Sequence, residues 1–264
     1  MAQQPMGPKS VDTALPPPPP LPCRAAALFL DFDGTLVELA NRPEAVAVDR
    51  LILDVLRRLA ACSEGAVAII TGRDIETIDR FIAPLRLPVA GAHGHVRRTA
   101  GGNTIETSVD QDALSGIADS LARFAAGTPG LLVERKSRSV ALHYRLAPER
   151  AAAGRAAVER AIADTPQFTL LQGKFVYEVR STIADKGHAI AAFMAEAPFA
   201  GRLPVFAGDD VTDEEGFALV NRTGGLSIKV GAGSSTAAYR LRDPSDLRNW
   251  LDAMARQASE DGCL

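Results

Sequence analysis

The sequence lacks three features, each of which would place it in a common class of protein. It has no clustered basic stretch, because 29 Lys and Arg stand against 32 Asp and Glu, a formal net charge of −3. Nucleic-acid-binding proteins usually carry such a basic surface, so that class is excluded. No apolar run approaches the roughly 18 residues that span a bilayer, and no secretion signal is recognisable near the N-terminus. We therefore expect no membrane partner and a cytoplasmic location.

Cysteine is also scarce. Cys23, Cys62 and Cys263 are an odd number, scattered and without C-x-x-C spacing. This distribution predicts neither a disulfide framework nor a structural zinc site, and it is typical of a reducing compartment. Near the N-terminus, a proline run at 16–20 can form neither helix nor central strand. It predicts that residues 1–22 form a disordered or polyproline tail.

The chain that follows has the pattern of an α/β protein. From Ala25 the run AAALFLDFDG is apolar and then turns, which is typical of a strand buried on both faces of a parallel sheet. A helical segment, a second buried strand (AVAIITGR) and another helix from Asp74 continue a βαβα order. Three further strands are expected, at 87–93, 204–210 and 226–230. The sequence therefore predicts a doubly wound, Rossmann-like α/β core, with its functional loops at the carboxyl ends of the strands.

A different pattern interrupts this core. Between about 108 and 180 the order becomes helix, strand pair, helix, strand pair, with alternating polar and apolar residues in the strands. We interpret 108–180 as an inserted α+β cap domain, and 23–107 with 181–264 as one catalytic core. No internal repeat is evident.

The strongest chemical signal is the segment Asp31-Phe32-Asp33-Gly34-Thr35 at the end of the first strand. Because the chain turns at Gly34, both carboxylates can face one small site. Asp31 is a candidate nucleophile that would form an aspartyl-phosphate, and Asp33 is a candidate acid and base. The alternative is an ordinary strand-to-turn exit, where Asp and Gly are common.

A second acidic segment, GDDVTDE at 208–214, also follows a buried strand. Such hard oxygen ligands suit Mg²⁺, which leaves coordination positions for water and phosphate. Asp209 is the candidate direct ligand, with Asp210 and Asp213 in supporting positions around the metal. A solvated acidic helix N-terminus is the alternative.

Two weaker signals suit a phosphoryl group. Thr71 and Gly72 end the second strand and offer a hydroxyl and a backbone N–H, and Arg73 follows them as a further candidate for substrate binding. Lys186 lies at a predicted helix start and supplies positive charge. A Thr-Gly pair or a lysine at a helix start usually has only a structural role when it occurs alone.

The order of these four pieces along the chain resembles the haloacid-dehalogenase superfamily. Within it, the sequence is similar to the trehalose-6-phosphate phosphatases, by GDDVTDE and by motifs outside the shared core. These motifs are His93-Gly94, E-x-K at Glu134 and Lys136, H-Y-R at 143–145, and G-K-x-x-x-E-x-R, which contains Lys174 and Glu178. The sequence departs from the family pattern at Thr71, where serine is commoner, and at His95 and Val96.

The resemblance implies which residues contact the sugar phosphate: His93, Glu134, Lys136, Lys174 and Glu178. On their own terms, these cap residues could equally form exposed ion pairs across strands. The resemblance also implies hydrolysis of trehalose 6-phosphate with Mg²⁺ held by Asp31, the Asp33 carbonyl and Asp209. Alternatives are a phosphatase for a sucrose or mannosyl phosphate, and a sugar-phosphate sensor without catalysis. A small sugar phosphate is the expected partner, and a monomer is expected.

Overall fold

The computed structural model describes residues 15–39, 46, 48–173 and 175–260. These residues form two sheets and the helices that cover them. The larger sheet contains β1 (Ala26–Leu30), β2 (Val67–Ile70), β3 (Val89–Gly91), β4 (Val96–Arg98), β5 (Thr104–Glu106), β10 (Leu203–Gly208), β11 (Leu226–Val230) and β12 (Tyr239–Leu241). Its helices are α1 (Arg50–Cys62), α2 (Ile75–Ile82), α5 (Lys186–Met194), α6 (Glu214–Arg222) and α7 (Pro244–Glu260).

The eight strands lie in the order β12-β11-β10-β1-β2-β3-β4-β5. The six from β12 to β3 are parallel, and β4 and β5 extend the sheet in antiparallel fashion. The order reverses between β1 and β10, which lie side by side although most of the chain separates them. In doubly wound sheets, ligands bind beyond the carboxyl ends of the strands at this reversal. The doubly wound core predicted from the sequence is confirmed.

The uniform apolarity of β1 has a direct structural cause. All five of its residues are buried, and alternate side chains enter different apolar clusters. Leu28 and Leu30 pack in the cluster that includes residues of α1 and α7, whereas Phe29 packs with Phe193 and Phe199 on the other face. Because both faces of this strand are covered, its residues do not alternate between polar and apolar.

The smaller sheet contains β6 (Leu132–Arg135), β7 (Ser139–His143), β8 (Phe168–Gly173) and β9 (Val176–Ser181), in the antiparallel order β6-β7-β9-β8. Helices α3 (Gln111–Ala126) and α4 (Ala151–Ile162) cover one face, and their apolar side chains form a separate cluster with those of the strands. On β9 the buried Tyr177 and Val179 belong to this cluster, so Glu178 and Arg180 lie on the opposite face. The bounds 108–180 for a cap domain remain a prediction.

The predicted disordered or polyproline tail, residues 1–22, is described only from residue 15 onward, and its bounds stay a prediction. At residues 15–22 the chain is packed on the larger sheet: Pro16 accepts a hydrogen bond from the Arg240 N–H of the edge strand β12 (3.0 Å), and Pro19 accepts one from the Trp250 indole (3.2 Å). Proline lacks an N–H but keeps its carbonyl acceptor, and a proline run can therefore still cover an edge strand. Residues 1–14 lie outside the described residues.

The cysteine prediction is corrected. Cys23 and Cys62 form a disulfide, with Cα atoms 6.0 Å apart and a sequence separation of 39. Such a pair has no local spacing motif, because only the packing of the 15–23 segment against the end of α1 brings the two thiols together. Among the described residues, no helix combines the length and apolarity needed to cross a membrane.

Candidate active site

Three predicted site residues follow three neighbouring parallel strands. Asp31 comes directly after β1, Thr71 after β2 and Asp209 after β10. Since β1 pairs with both β2 and β10, the carboxyl ends of the three strands meet at one edge of the sheet. The Asp31 N–H also donates to the Ala207 carbonyl of β10 (3.0 Å), which ties the two acidic segments together.

The turn after Asp31 is shaped to admit Asp209. Gly34 has a φ of +80°, and a Cβ there would lie 2.2 Å from Oδ2 of Asp209. Only glycine avoids both the backbone strain and the clash. Its neighbour Thr35 is buried, and its hydroxyl donates to Oδ1 of Asp209 (3.1 Å). The glycine and the threonine of the first motif therefore orient the carboxylate of the second.

Lys186 connects the nucleophile candidate to the acidic segment. It is the first residue of α5 and its side chain is 3% exposed. Its Nζ donates to Oδ1 of Asp31 and to Oδ1 of Asp213, both at 2.6 Å. The other oxygen of Asp213 accepts the backbone N–H groups of Asp209 and Asp210, both at 2.9 Å. Asp213 thus shapes the loop that carries Asp209.

The buried charges change one another's protonation. Burial raises the pKa of Asp31 to about 8, and the negative charges of Asp213 and Asp209 act in the same direction, against the attraction of Lys186. Burial also raises the pKa of Asp209. For Lys186, burial alone would lower the pKa, but Asp31 and Asp213 outweigh it and the pKa rises. The raised pKa values of Asp31 and Asp209 therefore favour binding of a proton or a cation beside them.

This cluster could hold a divalent metal. Asp31, Asp209 and Asp213 each offer one oxygen, and these oxygens lie within 4.8 Å of one another. Two of the other predicted metal residues have different side-chain partners. Asp210 is exposed and its carboxylate accepts the Val211 N–H (2.6 Å), so it caps the following turn. The Asp33 carboxylate binds Arg73, and a metal contact from its backbone carbonyl stays a prediction.

Arg73 and Asp33 form a bidentate ion pair. Nε donates to Oδ2 (2.6 Å) and Nη2 to Oδ1 (2.7 Å). This pair joins the loop after β2 to the loop after β1, and within the first of these loops the Arg73 N–H donates to the Thr71 hydroxyl (3.2 Å). Sequence analysis assigned Arg73 to the substrate, whereas its guanidinium here contacts the acid–base candidate.

His93 lies against the Gly72 backbone. A Cβ at Gly72 would lie 2.6 Å from the His93 ring, and His93 itself has a φ of 56°. His93 is exposed, and its ring lies near charged groups of both the larger-sheet unit and the smaller sheet. Desolvation, with the positive charges of Lys186 and Arg180, lowers its pKa to about 4. A neutral His93 therefore borders the loop predicted to bind phosphate.

The predicted cap residues form a second set of contacts. Lys136 Nζ (3.0 Å) and the Ser139 hydroxyl (2.6 Å) both donate to Oε1 of Glu178, while Glu134 pairs with His143 (2.9 Å). Burial alone would raise the pKa of Glu178, but its two donors lower it. Because Oε1 accepts both donors, Oε2 remains available to a sugar hydroxyl. Lys174 lies outside the described residues, and its predicted role is not addressed.

Sequence reasoning missed Lys229. This lysine of β11 is 5% exposed and its Nζ donates to the Asp209 backbone carbonyl. A signal was present, because a single charge interrupts the apolar strand LSIKV. Ser139 carried no such signal, since its contact with Glu178 depends on the pairing of β7 with β9.

Comparison with known proteins shows the family of the chain. The trehalose-phosphatase family model matches residues 29–245 of the chain. The chain belongs to this family. Trehalose-6-phosphate phosphatase of Escherichia coli K12 is 44% identical over 226 residues, which are 86% of this chain and 85% of the relative.

Solved structures agree with the family assignment. A crystal structure of Aspergillus fumigatus trehalose-6-phosphate phosphatase is similar with a TM-score of 0.76 and 27% identity, covering 89% of this chain and 93% of the other. A haloacid dehalogenase-like hydrolase from B. subtilis is similar with a TM-score of 0.61 and 15% identity, covering 86% and 98%. The second likeness concerns the fold alone, and it places this trehalose-phosphatase family member in the haloacid-dehalogenase fold. The recognition made from the motifs is confirmed.

Proposed function

We propose that the protein hydrolyses trehalose 6-phosphate to trehalose and phosphate. The observation that carries this proposal is Asp31 at the end of β1, bonded to a buried Lys186 and within reach of Asp209 and Asp213, in a chain of the trehalose-phosphatase family. A binding protein without catalysis has no use for a buried nucleophile beside a fixed cation.

The chemistry follows in two steps. A carboxylate oxygen of Asp31 attacks phosphorus, the bond from phosphorus to the sugar oxygen breaks, and Asp33 gives its proton to the leaving oxygen. Water then attacks the aspartyl-phosphate, Asp33 takes the proton of the water, and phosphate leaves with Asp31 regenerated. Lys186 stabilises charge on the phosphoryl oxygens, and Thr71 and Gly72 donate hydrogen bonds to them.

The acidic cluster fits Mg²⁺ by its chemistry. Three carboxylates lie together, which is a donor set of hard oxygens, and burial raises the pKa of two of them, Asp31 and Asp209. When bound by Asp31, Asp209 and the Asp33 carbonyl, Mg²⁺ would offset the negative charge of the phosphoryl group. Asp213 would orient Asp209 through its two backbone hydrogen bonds.

The smaller sheet supplies the sugar site in this proposal. The face of β9 that carries Glu178 and Arg180 is turned from α3 and α4, and Arg180 pairs with Glu215 of the core helix α6. Glu178, Lys136 and Glu134 would therefore meet the hydroxyl groups of the disaccharide and exclude water from the reaction, and the family resemblance assigns the same role to Lys174. A cytoplasmic location and a monomer stay predictions.

The direct test is phosphate release from trehalose 6-phosphate with Mg²⁺ and with EDTA. We expect turnover that EDTA abolishes and Mg²⁺ restores, and that falls roughly 10⁴-fold or more in Asp31→Asn. Asp31→Asn should also fold, which circular dichroism checks. Full activity of this variant would exclude the covalent mechanism.

A panel of sugar phosphates tests the substrate. Sucrose 6-phosphate and a mannosyl phosphate should have kcat/KM values well below that of trehalose 6-phosphate. Equal values across the panel would remove the substrate assignment and leave the phosphatase chemistry. Tight binding of all three without turnover would favour a sensor.

A further inference from the structure

Asp33, the acid–base candidate, has both carboxylate oxygens hydrogen-bonded to one arginine. Both carboxylate oxygens of Asp33 accept hydrogen bonds from Arg73, whose side chain is 15% exposed. A carboxylate bonded in this way is an acceptor on both oxygens. The fork holds both oxygens against the guanidinium, so the pair has to loosen before Asp33 can turn an O–H towards a leaving sugar oxygen.

Arg73 is itself held in place. Its guanidinium lies over the Phe81 ring of α2, 5.1 Å from the centroid, and Phe81 stacks on Phe32 at 5.6 Å. Its backbone carbonyl accepts the Ala92 N–H (3.0 Å). The arginine is thus fixed by the same two loops that carry Thr71 and His93, and its fork geometry matches a carboxylate.

We infer that Arg73 is a positioning residue that holds Asp33 away from the reacting atoms until the complete disaccharide phosphate is bound. This inference rests on the proposed function and concerns the selectivity of the same site. Separating a bidentate, charge-assisted pair requires interaction energy from elsewhere. Contacts of the second glucose with the smaller sheet would supply it, so that binding of the remote ring is used in the chemical step.

A smaller phosphate ester lacks those contacts. Glucose 6-phosphate carries the reacting half of trehalose 6-phosphate, but it cannot reach the same number of groups on the smaller sheet. It should leave Arg73 and Asp33 paired for most of the time and react slowly. Loss of the Arg73 guanidinium should therefore increase the hydrolysis rate of glucose 6-phosphate more than that of trehalose 6-phosphate.

The test uses Arg73→Met, which keeps an apolar stem against Phe81 and removes the guanidinium. The measurement is kcat and KM for trehalose 6-phosphate and for glucose 6-phosphate, with Mg²⁺ present. We define the selectivity ratio as kcat/KM for trehalose 6-phosphate divided by kcat/KM for glucose 6-phosphate. In Arg73→Met this ratio should fall roughly 10-fold or more, mainly through a change in kcat. Arg73→Lys, which cannot occupy both oxygens, should give an intermediate ratio.

Two further variants separate positioning from other roles. Phe81→Leu removes the ring beneath the Arg73 guanidinium and leaves the guanidinium itself in place. It should lower the ratio of kcat/KM for trehalose 6-phosphate to that for glucose 6-phosphate, but by less than Arg73→Met does. Arg86→Met is the matched control, because Arg86 is exposed and pairs with Asp79 at 3.6 Å, and it should leave the ratio unchanged.

The outcomes distinguish the inference from the proposed function. If Arg73→Met raises KM and lowers kcat/KM equally for both substrates, Arg73 binds the phosphate directly and the inference is wrong. An unchanged ratio in a folded Arg73→Met protein also overturns it. If the wild-type protein releases no phosphate from trehalose 6-phosphate, the proposed function fails instead.

Discussion

Two sets of opposite charges differ sharply in their surroundings. In the larger sheet, Lys186 (3% exposed) bonds Asp31 (7%) and Asp213 (0%). In the smaller sheet, Lys136 (44%) bonds Glu178 (29%). We call these the core network and the cap network. A buried ion pair is strongly coupled to stability and protonation, whereas water screens a half-exposed one. Under the proposed function, the same residue types would serve chemistry in the buried network and substrate recognition in the half-exposed one.

The largest expected effect is that of Lys186→Met. Removal of one partner of a buried pair leaves the other charge uncompensated, so the free energy of unfolding should fall by about 3–5 kcal/mol. Phosphate release should fall roughly 10²–10³-fold or more. Urea denaturation and a phosphate assay measure the two quantities.

Lys136→Met is the matched control for this change. It removes the same group from the cap network and should lower the free energy of unfolding by less than about 1 kcal/mol. Equal losses of stability in the two variants would mean that the two networks do not differ as their exposure indicates.

The second expected effect is a pH dependence of the free energy of unfolding, which arises from Asp31 in the core network. Because the pKa of Asp31 is raised in the folded state from its ordinary 3.8 to about 8, the folded protein binds one more proton than the unfolded chain between these pH values. Stability of the metal-free protein should therefore fall as pH rises, by about 1–2 kcal/mol from pH 6.5 to 8. The lowered pKa of His93 acts in the opposite sense, but below this window.

Urea midpoints measured in EDTA test this effect. Asp31→Asn mimics the protonated form, so it should show less than half of the wild-type change and should be the more stable protein at pH 8. A wild-type stability that rises from pH 6.5 to 8 would contradict the raised pKa.

The smallest effect on stability is expected for Glu178→Gln in the cap network. The variant loses a charged acceptor for sugar hydroxyls, so KM for trehalose 6-phosphate should rise about 10-fold with little change in kcat. The free energy of unfolding should change by less than about 1 kcal/mol. Glu149→Gln is the control, because Glu149 is an exposed carboxylate on the same unit. A large loss of kcat in Glu178→Gln would place this residue in the chemistry.

The sequence predicted the part of the fold that depends on local pattern. The apolar strands before Asp31, Thr71 and Asp209 could be recognised because burial on both faces removes polar residues from them. Their convergence followed from the rule for parallel sheets, and the structure brings Asp31 and Asp209 together as expected. The catalytic roles of these residues stay predictions.

Features that arise from tertiary contacts were not predictable. Strands β4 and β5 are three residues each and too short for a periodic signal. The disulfide joins cysteines with no motif between them. The pairing of Arg73 with Asp33 depends on a side-chain conformation that spacing does not determine.

The proline segment at 16–20 has a consequence for the width of the larger sheet. It lies beside β12, the outermost strand on that side, and accepts one of its N–H groups. Because proline has no N–H to return, another strand cannot add to the segment by the usual ladder. The proline segment therefore acts as a cover over part of this sheet edge and disfavours strand addition there.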